Sequence, residues 1–77
     1  MKTYIFEVEL HREKDGRWSA WIEALPGCAA WGNNREEALG AIKDAAEAYA
    51  EDMLDAEAEI PKEGVRVVEA PVVTITL

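Results

Sequence analysis

This 77-residue chain has one cysteine, one histidine, three prolines and eight basic residues set against sixteen acidic ones. Each shortage removes a class of function. Cys28 has no second cysteine in the chain to pair with, so the fold owes nothing to an internal disulfide. His11 lacks neighbouring ligands at matching spacing, so no metal site is expected, and no cofactor either. Scattered Lys and Arg within a net charge of −8 argue against direct binding of nucleic acid, which draws on clustered bases. An acidic excess suggests instead a basic protein partner, or simply solubility. The N-terminal Tyr4-Ile5-Phe6-Glu7-Val8 carries a charge inside its apolar run, unlike a signal peptide, and no run is long enough to span a membrane. A cytoplasmic protein is the expectation. Residues 1–77 allow one domain, and a core this small favours homodimers or larger homo-oligomers.

Residues 3–12 alternate, with Tyr4, Phe6, Val8 and Leu10 on one side and Ile5, Glu7, Glu9 and His11 on the other. That is the pattern of a half-buried strand. Residues 17–25 read as a second strand, with Trp18, Ala20, Ile22 and Ala24 inward and Ser19, Trp21 and Glu23 outward. A two-residue loop would pair Leu10 with Trp21 and mix the two faces. A three-residue loop, Lys14-Asp15-Gly16, pairs Leu10 with Ala20, Val8 with Ile22 and Phe6 with Ala24. The sequence therefore predicts a type I turn with a G1 bulge and Gly16 in the left-handed region. The same register sets Glu9 beside Trp21 and Glu7 opposite Glu23.

Leu25-Pro26-Gly27-Cys28 reads as a type II turn, since Pro26 presets φ and Gly27 supplies the positive φ that follows. Residues 29–32 then make a short third strand. Asn34 can cap a helix and Glu37 can reach back, a capping-box arrangement with Asn in the usual Ser or Thr place. The helix runs from Arg35 to about Glu57. Its apolar stripe is Ala38, Leu39, Ile42, Ala45, Ala46, Tyr49, Met53 and Leu54. Pro61 and Gly64 end the helical region, and residues 65–68 and 72–77 read as extended, interrupted at Pro71. The last strand is the expected sheet edge, open to a second copy or a partner. The order β-β-β-α-β, with one helix covering one face of a sheet, makes a two-layer α+β sandwich.

The run from Trp18 and Ala20 through the Leu25-to-Cys28 turn, Gly32, Asn33-Asn34 and Glu36-Glu37-Ala38-Leu39, with Ile42 and Ala46 beyond, resembles the HicB-like antitoxins of toxin–antitoxin systems. Asn33-Asn34 stands where the family usually has an Asp-Thr or Asp-Ser pair, which preserves the capping chemistry. The resemblance implies a partial ribonuclease-H-like fold without nuclease activity, which covers the active surface of a small, basic, HicA-type RNA-cleaving toxin. Many members continue into a DNA-binding segment; this chain stops after its last strand, so operator binding is not carried over.

Glu7, Glu9 and Glu23 around an outward Trp21 read as a partner-binding surface, an aromatic anchor ringed by acids that accept Lys or Arg. The opposed Glu7–Glu23 pair points the same way, because facing carboxylates destabilise a sheet unless neutralised. The competing readings are a solvated sheet face, or Trp21 buried between two copies of the chain. Three carboxylates could also hold Mg²⁺ for phosphodiester hydrolysis, but all are Glu and no basic groove accompanies them, so an enzyme is not expected. Residues 35–59 hold nine acids against Arg35 and Lys43, a net of −7 that leaves −1 for the remainder. Asp44, Glu47, Glu51 and Asp55 form one ridge whose i,i+4 repulsions weaken the helix. It reads either as a nucleic-acid-like decoy for a basic toxin or as a solvated face. Trp18 and Trp31 are expected in the core, and Cys28 is expected to be small, buried and inert. The leading expectation is a non-enzymatic antitoxin that occludes its toxin; the alternative is a stand-alone oligomeric HicB-like scaffold without one.

Overall fold

The computed structural model describes residues 3–56 and 71–76. Their order is β1 (Thr3–Glu7), β2 (Glu9–Arg12), β3 (Trp18–Trp21), β4 (Ala29–Gly32), α1 (Arg35–Asp55) and β5 (Val72–Thr76). The architecture is the expected α+β one, with one helix against antiparallel strands. The expected helix stop at Pro61 and Gly64, and the extended reading of residues 65–68, lie outside the described residues.

The first strand is where the expected order changes. It breaks at Val8 into two pieces, giving β-β-β-β-α-β. β1 pairs with β5, and β2 pairs with β3, which in turn pairs with β4. Two backbone bonds explain the break. The Val8 N–H donates to the Pro71 carbonyl at 2.8 Å, tying that residue to the β5 side. The Ile22 N–H donates to the Cys28 carbonyl at 3.2 Å, so the chain after β3 curls into its own turn. The expected Val8–Ile22 and Phe6–Ala24 pairs are therefore not made, and Phe6 faces Val73 instead. Alternation survives the break: Tyr4, Phe6 and Val8 stay buried while Ile5 and Glu9 stay exposed.

The hairpin itself has the expected register. Leu10 faces Ala20 and Glu9 faces Trp21. The Gly16 N–H donates to the Glu13 carbonyl at 3.0 Å, the Glu13 N–H donates to the Arg17 carbonyl at 2.7 Å, and Gly16 takes φ +89°. Gly27 takes φ +83°, and the Cys28 N–H closes the turn on the Leu25 carbonyl at 2.9 Å. Both positions suit glycine because a Cβ there would crowd the carbonyl.

Asn34 is extended at φ −144°, ψ 174°, and its side-chain oxygen accepts from the Glu37 N–H at 2.8 Å. Glu37 does reach back, but one residue further than a capping box requires: it accepts from the Asn33 N–H at 2.7 Å. Just before the cap, a Cβ added to Gly32 would sit 2.5 Å from the Ala38 backbone nitrogen and from the Glu37 Cβ. β4 and the first turn of α1 therefore meet too closely for any side chain at position 32.

The helix buries Ala38, Ile42, Ala46 and Ala50 against Phe6, Ala20, Ile22, Leu25 and Ile75, with Leu39, Tyr49 and Met53 at the margin. Ala50 belongs to the buried row, and Leu54 does not. At 49% exposure, Leu54 is one further step along a row that winds about 40° per four residues and has passed the sheet. Trp31 is likewise no core residue. The β3–β4 register places Ala30 opposite Ala20 and Trp31 opposite Ser19, so Trp31 points away from the helix at 56% exposure. Because the helix crosses β4 so closely, only Ala30 and Gly32 fit beneath it.

Candidate functional site

With α1 on one side of the sheet, no other described element covers the opposite side, and this face is open among the described residues. Successive rows across β2, β3 and β4 read Glu9–Trp21–Ala29 and then His11–Ser19–Trp31. Trp21 and Trp31 are thus diagonal neighbours, the spacing at which large aromatic side chains on adjacent strands reach one another. Among the described residues five large hydrophobics are exposed, and four of them lie on outward positions of the strands: Ile5, Trp21, Trp31 and Val72.

The polar groups of this face are held by specific bonds. The Arg17 guanidinium lies over Trp31, 4.2 Å from the ring centroid. Its Nε donates to Asp15 Oδ2 at 2.7 Å, and the Arg17 backbone N–H donates to Asp15 Oδ1 at 3.0 Å. These bonds hold the exposed Asp15 carboxyl below its ordinary value, the backbone bond most strongly. Ser19 Oγ donates to Glu13 Oε1 at 2.9 Å and lies 3.4 Å from the His11 carbonyl. Together His11, Glu13, Arg17, Ser19, Trp21 and Trp31 line an open groove of about 700 Å³.

The expected acidic ring around Trp21 is only partly assembled. Glu9 is the direct cross-strand partner of Trp21, which is 37% exposed. Glu23 is exposed in the turn that follows β3. Glu7 faces Val72 across β1 and β5, not Glu23, because the strand breaks at Val8. The opposed carboxylate pair therefore does not exist. Asp44, Glu51 and Asp55 are exposed and Glu47 is half-buried, all on α1, the other layer of the sandwich. The eight residues thus fall on two layers of the sandwich and do not form one cluster. Cys28 is buried, and burial raises its thiol above the ordinary value, so it is a poor nucleophile.

The Asp15–Arg17–Trp31 stack is not among the expected contacts, because Trp31 is expected in the core. The i,i+2 spacing of Asp15 and Arg17 around a left-handed glycine was an available signal. Its aromatic member was hidden by the assignment of Trp31 to the core. No group of three or more His, Cys, Asp or Glu is placed to hold a metal ion among the described residues. No described helix is long and apolar enough to cross a membrane.

Comparison with known proteins bears on what this surface serves. Residues 6–70 match the family described as the HicB_like antitoxin of bacterial toxin-antitoxin system. The chain belongs to the HicB-like antitoxin family. Two UPF0150 proteins are similar along most of this HicB-like chain. One, from Synechocystis sp., is 36% identical over 62 residues, covering 80% of this chain and 78% of the relative. The other, from Thermoplasma acidophilum, is 34% identical over 58 residues, covering 75% and 84%. Among solved structures, the N-terminal domain of the Burkholderia pseudomallei antitoxin HicB superposes with a TM-score of 0.73 at 13% identity, over 95% of this chain and 96% of that domain. The longer structure of that antitoxin gives a TM-score of 0.69, also at 13% identity; all of this chain matches 64% of its length. The fold is that of a HicB N-terminal domain, and membership of an antitoxin family implies a toxin partner.

Proposed function

We propose that this HicB-like chain neutralises a small, basic, HicA-type RNA-cleaving toxin in the cytoplasm by covering the toxin's active surface. It acts as a single domain, without catalysis of its own and without contacting nucleic acid itself. On this reading the sheet and helix are a ribonuclease-H-like frame used as a docking platform. The observation that carries it is Trp21, exposed beside Glu9 on the sheet face that the helix leaves open. A rigid, half-desolvated Trp next to a carboxylate can receive the stem of a Lys or Arg on its ring and the charge on its acid. Glu23 adds a second carboxylate near the same end of β3. The eight bases of the chain are outnumbered two to one, so the field favours a cationic partner over RNA.

Co-expression with the product of a neighbouring small basic reading frame tests this. The expected result is co-purification and restored growth, both lost in a Trp21→Ala/Glu9→Lys variant that folds normally. Unchanged binding by that variant would place the contact elsewhere. Mg²⁺-dependent RNA cleavage by the purified chain, abolished by Glu7→Gln, would overturn the non-catalytic reading. Absence of any such neighbour favours a stand-alone oligomeric scaffold, for which the four exposed apolar side chains on the strands are the supporting observation.

A further inference from the structure

Two exposed tryptophans share the open sheet face, and among the described residues one carries a cation and the other does not. Over Trp31 the Arg17 guanidinium lies 4.2 Å from the ring centroid, and its Nε donates to Asp15 Oδ2 at 2.7 Å. That site has three parts: an indole, a planar cation laid on it, and a carboxylate that takes the charge. Around Trp21 two of the three parts are present. Glu9 is its direct cross-strand partner and shares its exposed face. Neither side chain makes a hydrogen bond, ion pair or ring contact among the described residues. Arg17 cannot serve both rings. It stands four residues before Trp21, roughly 13 Å away at strand spacing, and is anchored at Asp15.

We propose that Trp21 and Glu9 form an arginine-selective slot, completed by a guanidinium that a partner protein supplies. Charge complementarity names the occupant. Glu23 is exposed just past Trp21, so carboxylates without a bond among the described residues stand on both sides of that ring. The bases of this face, Lys14 and Arg17, are at the hairpin end, away from Trp21. A guanidinium stacks flat on an indole and still offers a carboxylate two parallel N–H donors. An ammonium is compact and holds its water more strongly, so it cannot make both contacts as well. A phosphate or carboxylate would meet Glu9 as a like charge. An apolar side chain would cover the ring but bury Glu9 without a partner. Arg17 sharpens the selection by occupying Trp31, which leaves the face with one arginine site instead of two. That the arginine belongs to a toxin rests on the proposed function above; the selectivity of the slot does not.

Titration of the isotope-labelled chain with a blocked Gly-Arg-Gly peptide at low salt, followed by NMR at the indoles, tests the slot without any toxin. The Trp21 indole should shift saturably, while Trp31 moves little because Arg17 covers it. The matching Gly-Lys-Gly peptide should bind at least about threefold more weakly, since it cannot stack and fork at once. Glu9→Gln should remove that preference and leave both peptides equally weak. Arg17→Ala should uncover Trp31, whose indole then responds to the arginine peptide as well. Both substitutions fall on exposed side chains, and the remaining amide signals report that the fold is kept. Equal binding of the two peptides by the parent, or a first response at Trp31, overturns the slot. So does a Trp21 shift that fails to saturate by about 100 mM, well beyond the millimolar range. With a cognate toxin, replacing its arginines by lysine one at a time should single out one position. That change should cost at least about tenfold in affinity, as loss of an interface anchor does. A toxin complex indifferent to every such change overturns the slot as its docking point. Arginine selectivity in the peptides, with no toxin bound, counts against the toxin reading alone.

Discussion

The open sheet face and the outer face of α1 are both rich in ionisable groups, yet they are built differently. On the sheet face, Arg17 is clamped by Asp15 and stacked on Trp31, and Ser19 binds Glu13. On the helix, Asp44, Glu47, Glu51 and Asp55 make no hydrogen bond or ion pair among the described residues. The first surface is preorganised and partly apolar; the second is a source of field with little to grip. Contact affinity comes chiefly from desolvated aromatic anchors, whereas unpaired rim charges mainly alter approach rate and salt dependence. Under the proposed toxin-binding function, the contrast favours docking on the sheet and, at most, steering by the helix.

The sharpest way to break that assignment is to remove the aromatics. Trp21→Ala together with Trp31→Ala is expected to lower affinity for a cognate toxin by about 100-fold or more, roughly 3 kcal/mol. Trp31 is 56% exposed but Trp21 only 37%, so the unfolding temperature should fall as well, and affinity is read well below the lowered melting point. Isothermal calorimetry alongside thermal melting reads both. Full affinity in the double variant would hand the docking role to α1.

Gly32 joins the two regions, and its substitution separates stability from recognition. Gly32→Ala drives a Cβ into the Ala38 amide, and the helix must shift off β4. Overpacking of this kind costs about 2 kcal/mol, or roughly 10 °C in a domain of this size. Toxin affinity measured well below the lowered melting temperature should stay within about threefold of the parent, since the sheet face does not contain that contact. A 100-fold loss under those conditions would mean the helix position shapes the docking face.

A smaller effect is expected on the helix. Glu47→Gln, Glu51→Gln and Asp55→Asn remove two repulsive i,i+4 pairs and lessen the clash with the helix C-terminus. Each relief is worth a few tenths of a kcal/mol, about 1 kcal/mol in all, in favour of the fold. The association rate with a basic toxin should fall several-fold at low salt and converge with the parent above about 0.5 M salt, where screening is nearly complete. A lost complex at high salt would show that the ridge makes direct contact.

The two regions also differed in how far the sequence disclosed them. The helix, its Asn34 cap and the turn at Gly27 follow from local chemistry, and so does the hairpin register, which the polar–apolar alternation and Gly16 determine together. The break at Val8 has no local signal. It depends on the Pro71 carbonyl, more than sixty residues away, and on Ile22 curling onto Cys28. Trp31 was misplaced because an aromatic in a short strand invites a core assignment. The small pair Ala30 and Gly32, in step with each other, carried the opposite message: they mark the side that the helix approaches. Once Trp31 is turned outward, the Arg17 stack and the second aromatic of the groove follow.

The Asp15 clamp gives the least energetic test, and it isolates the hairpin end of the sheet face from everything else. The carboxyl is exposed and held below its ordinary value of 3.8, first by the Arg17 backbone N–H and then by its side chain. Its contribution is present above pH 3.8, where the unfolded chain is also ionised, and is lost as the pH falls through the lower folded value. Asp15→Asn should therefore melt slightly below the parent at pH 6, and the gap should close on acidification below pH 3.8. The same variant releases Arg17 from one of its two anchors while leaving Trp31 in place. Chemical shifts of the Trp31 indole should then move at pH 6, and those of Trp21 should not. A gap that persists at pH 2 would place the effect of Asp15 in the turn backbone and not in its charge. Coupled movement of both indoles would show that the two ends of the face respond as one.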